Sequence, residues 1–238
     1  MEAIMFAIIA AVLSALLLMS NLAFAIPISY FFCRDQDHFH CYTVRHHDTW
    51  QKLFKDPKTR DLVMRVNRMN TSLERGMKIA IPKNLDDPNI MDFSPFPLQI
   101  NPPGEKVIMV SINPRVLAWG AYDSDGQLKG WGPASGGQDY CPDLHRACHS
   151  STGKFSIYRK EGRDCVSSKF PLGRGGAPMP YCMYFNNGFA LHGSYEVPGH
   201  NASHGCIRML VPDAEWLNHN FVDDENVTVI ISYQAPQE

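Results

Sequence analysis

Cysteine and histidine are the side chains here whose placement invites nucleophilic chemistry, and both fall in one C-terminal stretch. Leu191-His192-Gly193-Ser194 is followed, after a short interval, by Ser203-His204-Gly205-Cys206-Ile207-Arg208-Met209. A thiol attacks an acyl carbon when an imidazole takes its proton and backbone N–H groups receive the charge that builds on oxygen. A free cysteine titrates near ~8.5 and a neighbouring imidazolium can pull it down by several units, giving a standing thiolate, which favours thiol over hydroxyl. His192 ends an apolar run that reads as a strand, so a rigid element would aim its ring while Gly193 lets the backbone turn away. Gly205 can take positive φ and leave N–H groups exposed beside the sulfur. Each residue also has an ordinary explanation: a core histidine bonded to a carbonyl, an inert or intermolecularly paired thiol, a glycine in a turn. Their conjunction is what points to acyl transfer.

The cysteine count adds weight. There are seven: Cys33, Cys41, Cys141, Cys148, Cys165, Cys182 and Cys206. An odd number in an oxidising compartment leaves at least one thiol free or paired with another chain. Export is read from the start of the chain, where Ile4 to Met19 is almost wholly apolar and Leu22-Ala23-Phe24-Ala25 carries alanines at signal-peptidase spacing. Residues 1–25 are therefore expected to be a signal peptide. The alternative is an uncleaved anchor over Ile4 to Ile28, the only route to a membrane association. Either way the body is exported, to a periplasm or cell envelope. Proximity in sequence suggests the pairs Cys33–Cys41, Cys141–Cys148 and Cys165–Cys182, one of many connectivities open to six cysteines. That pairing isolates Cys206.

Composition excludes several classes. Apolar residues make up 45% and charged ones 19%, which allows a real core and argues against disorder. The net charge of −2 offers no field to hold nucleic acid. The clusters His38, His40, Cys41 and Cys141, His145, Cys148, His149 fit no common zinc spacing, so neither metal nor cofactor is expected. A serine hydrolase is disfavoured because no Gly-x-Ser-x-Gly elbow occurs.

The elements that must position these residues are mostly strands. Lys106 to Asn113, Arg115 to Tyr122, a short run through Trp131, and Gly153 to Tyr158 read as strands, as does Val227 to Tyr233. Tyr181 to Phe185 and Phe189 to His192 flank Asn186-Asn187-Gly188, a hairpin signal. Pro212 to Asn220 reads as one helix. Upstream, Tyr42 to Pro82 reads as strand, helix, helix, strand: Asp48 or Thr49 caps a helix with Trp50, Leu53 and Phe54 on its inner face. Leu62, Val63, Val66 and Met69 then repeat at helical spacing. Residues 85–104 form a proline-rich linker whose Phe93, Phe96 and Leu98 are expected to dock on a domain surface.

Residues 41–84 resemble the LysM module, a small βααβ unit that binds N-acetylglucosamine-containing glycans. The resemblance rests on Tyr42-Thr43-Val44, Asp48-Thr49-Trp50, Leu53, Val66-Asn67, Leu73, Gly76 and Ile79-Ala80-Ile81-Pro82. A helical spacer packed on the next domain is the competing reading. Residues 105–233 resemble the YkuD-type L,D-transpeptidases through the His192 and Cys206 segments, together with Ser135-Gly136-Gly137, Thr152-Gly153-Lys154-Phe155 and Met179-Pro180-Tyr181. This resemblance implies a mainly β catalytic domain that cleaves after the diamino acid of a peptidoglycan tetrapeptide stem and transfers the acyl group to an amine, cross-linking wall or tethering a wall protein. It implies Cys206 as nucleophile and His192 as proton carrier. Ser194, Ser203, His204, Gly193 and Gly205 would be motif support, with the N–H groups around His204 and Gly205 at the oxyanion and Arg208 on a carboxylate. The same acyl-enzyme also serves an L,D-carboxypeptidase, and a non-catalytic wall-binding protein is the alternative from another class. Removal of residues 1–84 is expected to leave a folded catalytic domain.

Overall fold

The computed structural model describes residues 27–85, 89–223 and 227–234; the expected signal peptide lies outside them. The N-terminal part runs α1 (Ser29–Phe32), β1 (Phe39–Thr43), α2 (Trp50–Leu53), α3 (Pro57–Val66) and β2 (Lys78–Pro82). β1 and β2 pair antiparallel, with Cys41 opposite Ala80. Thr49 caps α2 by accepting from the Lys52 N–H at 3.2 Å. Asp56 caps α3 by accepting from the Thr59 N–H at 2.7 Å, with Pro57 in the first turn, where a missing N–H costs nothing. Val44, Trp50, Phe54, Val63, Met69 and Ile79 bury together beneath the strands. The strand, helix, helix, strand order is thus the one read from the sequence.

The remainder folds as two sheets around one core. A five-stranded sheet has the order β5-β4-β3-β11-β6, from β3 (Val107–Ser111), β4 (Ala118–Tyr122), β5 (Leu128–Pro133), β6 (Gly153–Ser156) and β11 (Thr228–Ser232). A four-stranded sheet has the order β10-β9-β8-β7, from β7 (Arg159–Lys160), β8 (Met183–Asn186), β9 (Phe189–Ser194) and β10 (Ile207–Leu210). Ile108, Val110 and Val229 from the first sheet meet Met183, Leu191, Ile207 and Met209 from the second in one buried cluster. Asn187 and Gly188, with φ of 42° and 87°, turn the β8–β9 hairpin, as the Asn-Gly signal requires. The single helix expected over Pro212 to Asn220 is instead α4 (Val211–Trp216) continued by a π-helical turn, Leu217–Phe221.

The segment between the two parts is docked. The Trp131 indole N–H donates to the Ile90 carbonyl at 2.8 Å, and the Tyr122 hydroxyl to the Pro97 carbonyl at 2.7 Å. Phe96 is buried and lies flat against Gly120, whose missing side chain makes the room; Leu98, expected to dock, is 55% exposed.

The two parts also meet through buried ionic groups. Arg65 on α3 donates to both carboxylate oxygens of Asp213 on α4, at 2.9 and 2.5 Å, and to the Trp131 carbonyl at 3.0 Å. Burial works against the guanidinium charge, but the Asp213 and Asp61 carboxylates hold it above its ordinary value. The Trp119 indole N–H adds a bond to Asp213 at 3.3 Å. Arg68 is buried as well, donating to the Val116 carbonyl at 2.9 Å and stacking 4.8 Å from the Trp131 ring. The expectation that removing residues 1–84 leaves a folded catalytic domain meets this contact, because the excision takes Arg65 away from the Asp213 carboxylate.

Candidate active site

β9 and β10 run parallel, with Leu191 opposite Ile207 and His192 opposite Arg208. Parallel neighbours need a crossover of about a dozen residues, and here the interval after Ser194 makes it as a loop. Closing that loop is what carries Cys206, at the foot of β10, to the strand that bears His192. His192 lies inside β9 rather than at its end, and Gly193 is a strand residue that does not turn the chain. Gly193 is needed for close approach: a Cβ there would sit 3.0 Å from Val211 Cα and 3.1 Å from the Pro180 carbonyl oxygen, to which its own N–H donates at 2.8 Å.

His192 is buried, and its Nδ1 lies 2.8 Å from the Gly193 carbonyl. A carbonyl only accepts, so Nδ1 carries the proton and Nε2 is left with a free lone pair. Burial, aided by the nearby Arg208 charge and opposed by the Gly193 bond, brings the imidazole down to about 4. Cys206 is the free cysteine, with Cys33–Cys41, Cys141–Cys148 and Cys165–Cys182 joined as proximity suggested. Burial pushes its thiol up, against a bond from the Ala190 backbone and the charge of Arg208. Both shifts favour the uncharged forms, a neutral thiol and a neutral imidazole on one cleft, over the thiolate–imidazolium pair expected from cysteine chemistry in general.

The turn before Cys206 is stapled by Ser203. Its hydroxyl donates to the Cys206 carbonyl at 2.5 Å and accepts from the Gly205 N–H at 3.0 Å. The Gly205 N–H, expected among oxyanion donors, is thus already engaged. Gly205 has φ of +121°, and a Cβ there would meet the Phe189 ring at 2.3 Å, so both conformation and space demand glycine. His204 is engaged elsewhere: its Nε2 is 3.0 Å from both Asp143 carboxylate oxygens, and its ring stacks on Phe170 at 4.3 Å. Asp143 lies within the Cys141–Cys148 loop and Phe170 within the Cys165–Cys182 loop, so His204 ties two disulfide-closed loops at the rim.

The cleft measures about 560 Å³, and His192, Ser194, Ser203, His204, Cys206 and Arg208 all line it. Arg208 donates to the Glu196 carbonyl at 3.3 Å and lies 3.9 Å from its carboxylate. Arg146, Arg159 and Lys169 add positive charge to walls on which Glu196 is the one acid. Among the described residues, Cys141, Asp143 and His204 come within metal-ligating distance of one another, but the Cys141 sulfur is spent in its disulfide. Residues the sequence reading passed over are Asp143, Phe170, Phe189 and Asn70. Phe189 sat in the expected hairpin strand, but nothing in spacing marks its ring as the wall behind Gly205.

Comparison with known proteins gives a consistent result. Residues 105–231 match the family described as YkuD, L,D-transpeptidase catalytic domain. An L,D-transpeptidase structure from Xylanimonas cellulosilytica superposes with a TM-score of 0.50 at 20% identity, covering 72% of this chain and 78% of that one. One from Stackebrandtia nassauensis gives 0.44 at 19% identity, covering 74% of this chain and 67% of that one. L,D-transpeptidase 3 from Mycobacterium tuberculosis gives 0.42 at 23% identity, covering 53% and 60%. A search of curated protein sequences finds no match.

Proposed function

The chain belongs to the YkuD family of L,D-transpeptidase catalytic domains, and from that premise we propose that Cys206 is acylated by a peptidoglycan tetrapeptide stem at its diamino acid and passes the acyl group to an amine. His192 Nε2 takes the Sγ proton as the sulfur–carbon bond forms. Collapse of the tetrahedral adduct expels the terminal amino acid, whose amine leaves with the proton returned by His192. An acceptor amine then attacks the thioester, again losing a proton to His192, and the thiol is restored. Arg208 and the positive walls suit the carboxylates of such a stem.

The observation that carries this reading is the β9–β10 ladder, which sets a histidine with an unprotonated Nε2 and the one free thiol on the same cleft. Three disulfides fit an exported location, in a periplasm or cell envelope. Residues 41–84 are assigned to wall-glycan binding by their LysM resemblance, with the groove between Tyr42 to His46 and Arg75-Gly76 as the surface available for it. The test is intact-mass analysis of the purified protein with a tetrapeptide donor or a carbapenem, with Cys206→Ala as control. A mass increase confined to the native protein supports the acyl-enzyme. Adding an amine acceptor then separates transfer from hydrolysis, since only a transpeptidase forms the new amide.

A further inference from the structure

The loop between β9 and β10 is held from two sides by two different parts of the chain. Its second half is fixed by the catalytic domain itself: Ser135 donates to the His200 carbonyl at 2.6 Å, and Asn201 bonds the Gly136 N–H and the Ile112 carbonyl, each at 2.8 Å. Its first half is fixed from outside, by Asn70 of the N-terminal unit. The Asn70 side-chain amide donates to the Ser194 carbonyl at 2.9 Å and accepts from the Val197 N–H at 2.8 Å. The Asn70 backbone N–H donates to the Val197 carbonyl at 2.9 Å, and Met69 forms a β-bridge with Pro198. A primary amide carries a donor and an acceptor on separate atoms, so it satisfies a carbonyl and an N–H of another chain segment at once.

The residues so clamped face the cleft. Ser194, Tyr195 and Glu196 line it, and the Glu196 carbonyl receives the Arg208 guanidinium. We propose that Asn70 is a positioning residue for the donor: it holds residues 194–197 so that Glu196 orients Arg208, and the N-terminal unit by this contact braces a wall of the catalytic cleft from outside it. This rests on the acyl-transfer reading above. Asn70 touches neither the thiol nor the imidazole, so its loss should alter how the peptide is bound far more than the sulfur's own reactivity, which it reaches only through the Arg208 charge.

The experiment uses the full chain and the variant Asn70→Ala, with three readouts: KM and kcat for acylation by a tetrapeptide stem, the pH profile of alkylation of Cys206 by iodoacetamide, and the melting temperature. We expect KM to rise about tenfold, kcat to change less than threefold, and Cys206 alkylation to keep its amplitude, with only the small shift in midpoint that a displaced Arg208 charge produces. Asn70→Asp keeps the bond from Val197 and loses the one to Ser194; it should fall between the two, and it replaces the alanine variant if that does not fold. An unchanged KM overturns the proposal. So does a parallel fall in acylation and alkylation, which would make Asn70 a support of the fold alone. A native protein that alkylates but never acylates would instead sink the acyl-transfer reading, which keeps the two failures apart.

Discussion

Replacing His192 by alanine tests the resting protonation state directly. In the native protein the imidazole loses its proton at about 4, so a base is present throughout the neutral range. The acylation rate should be flat from about pH 5 to 8 and fall to half near the imidazole's own value. Without the ring, the reaction depends on the thiolate already present. Burial pushes the thiol above its ordinary value, so at pH 7 only a small fraction is ionised. His192→Ala should lose about 10²–10⁴-fold at pH 7, the usual worth of a positioned base, and regain about tenfold per pH unit up to the thiol's pKa. The assay is the second-order rate of acyl-enzyme formation followed by mass between pH 4 and 10. His204→Ala is the contrast: it frees Asp143 and Phe170 at the rim, so its rate should fall without a comparable rise in alkali. A native profile with its acid limb near 6.5, the ordinary histidine value, would refute the neutral pair. Alkaline rescue confined to the His204 variant would move the base to the other histidine.

Three further outcomes follow from the same geometry. Because His192 titrates at about 4 when folded and near 6.5 when unfolded, the unfolded chain binds more protons between those values, so stability is fully present above pH 6.5 and is lost as pH falls toward 4, by roughly 3 kcal/mol; denaturant melts of the native protein and His192→Asn across that window should diverge by this amount. Gly205→Ala places a Cβ 2.3 Å from the Phe189 ring at a positive φ, and should cost more than about 2 kcal/mol by thermal melting together with most of the acylation rate. Arg65→Ala strands the Asp213 carboxylate and should cost about 3–5 kcal/mol, whereas the double change Arg65→Met with Asp213→Leu should recover most of it; equal losses in single and double variants would mean that the ion pair is not what joins the two parts.

What the sequence disclosed was local. The His192 and Cys206 segments, the Asn187-Gly188 turn, the Thr49 cap and the disulfides between near neighbours each draw on residues close in the chain, where spacing and residue type carry the information. What it hid depends on residues far apart. Arg65 and Asp213 are separated by 148 positions, and either alone reads as an ordinary surface charge. Asn70 carries no local mark of its role, since its bonds to Ser194 and Val197 join residues 124 and 127 positions apart. The glycines show the same divide. Gly205 was legible because positive φ is a local property, while Gly193 serves an approach by Val211 and Pro180 that no local pattern announces. The Ser203 staple was missed for a subtler reason: its hydroxyl competes for an N–H that the motif assigned to the oxyanion.

On the proposed exported location, a neutral resting pair would also account for a lone thiol in an oxidising space. Oxidation and disulfide exchange proceed through the thiolate. A cysteine held as a thiolate by an imidazolium would react with any passing disulfide. Here burial raises the thiol and lowers the imidazole together, and the Arg208 charge works on both in the same sense, favouring a sulfur anion while disfavouring a cation on the ring. With both groups buried, and the two effects of Arg208 opposing each other, proton transfer from sulfur to nitrogen is uphill in the resting protein. It becomes favourable only as the sulfur gains its bond to the acyl carbon, so reactivity is tied to a bound substrate. Arg208→Gln should then leave Cys206 no more exposed yet change both titrations, and a donor carboxylate that neutralises Arg208 on binding would act on the same pair from the substrate's side.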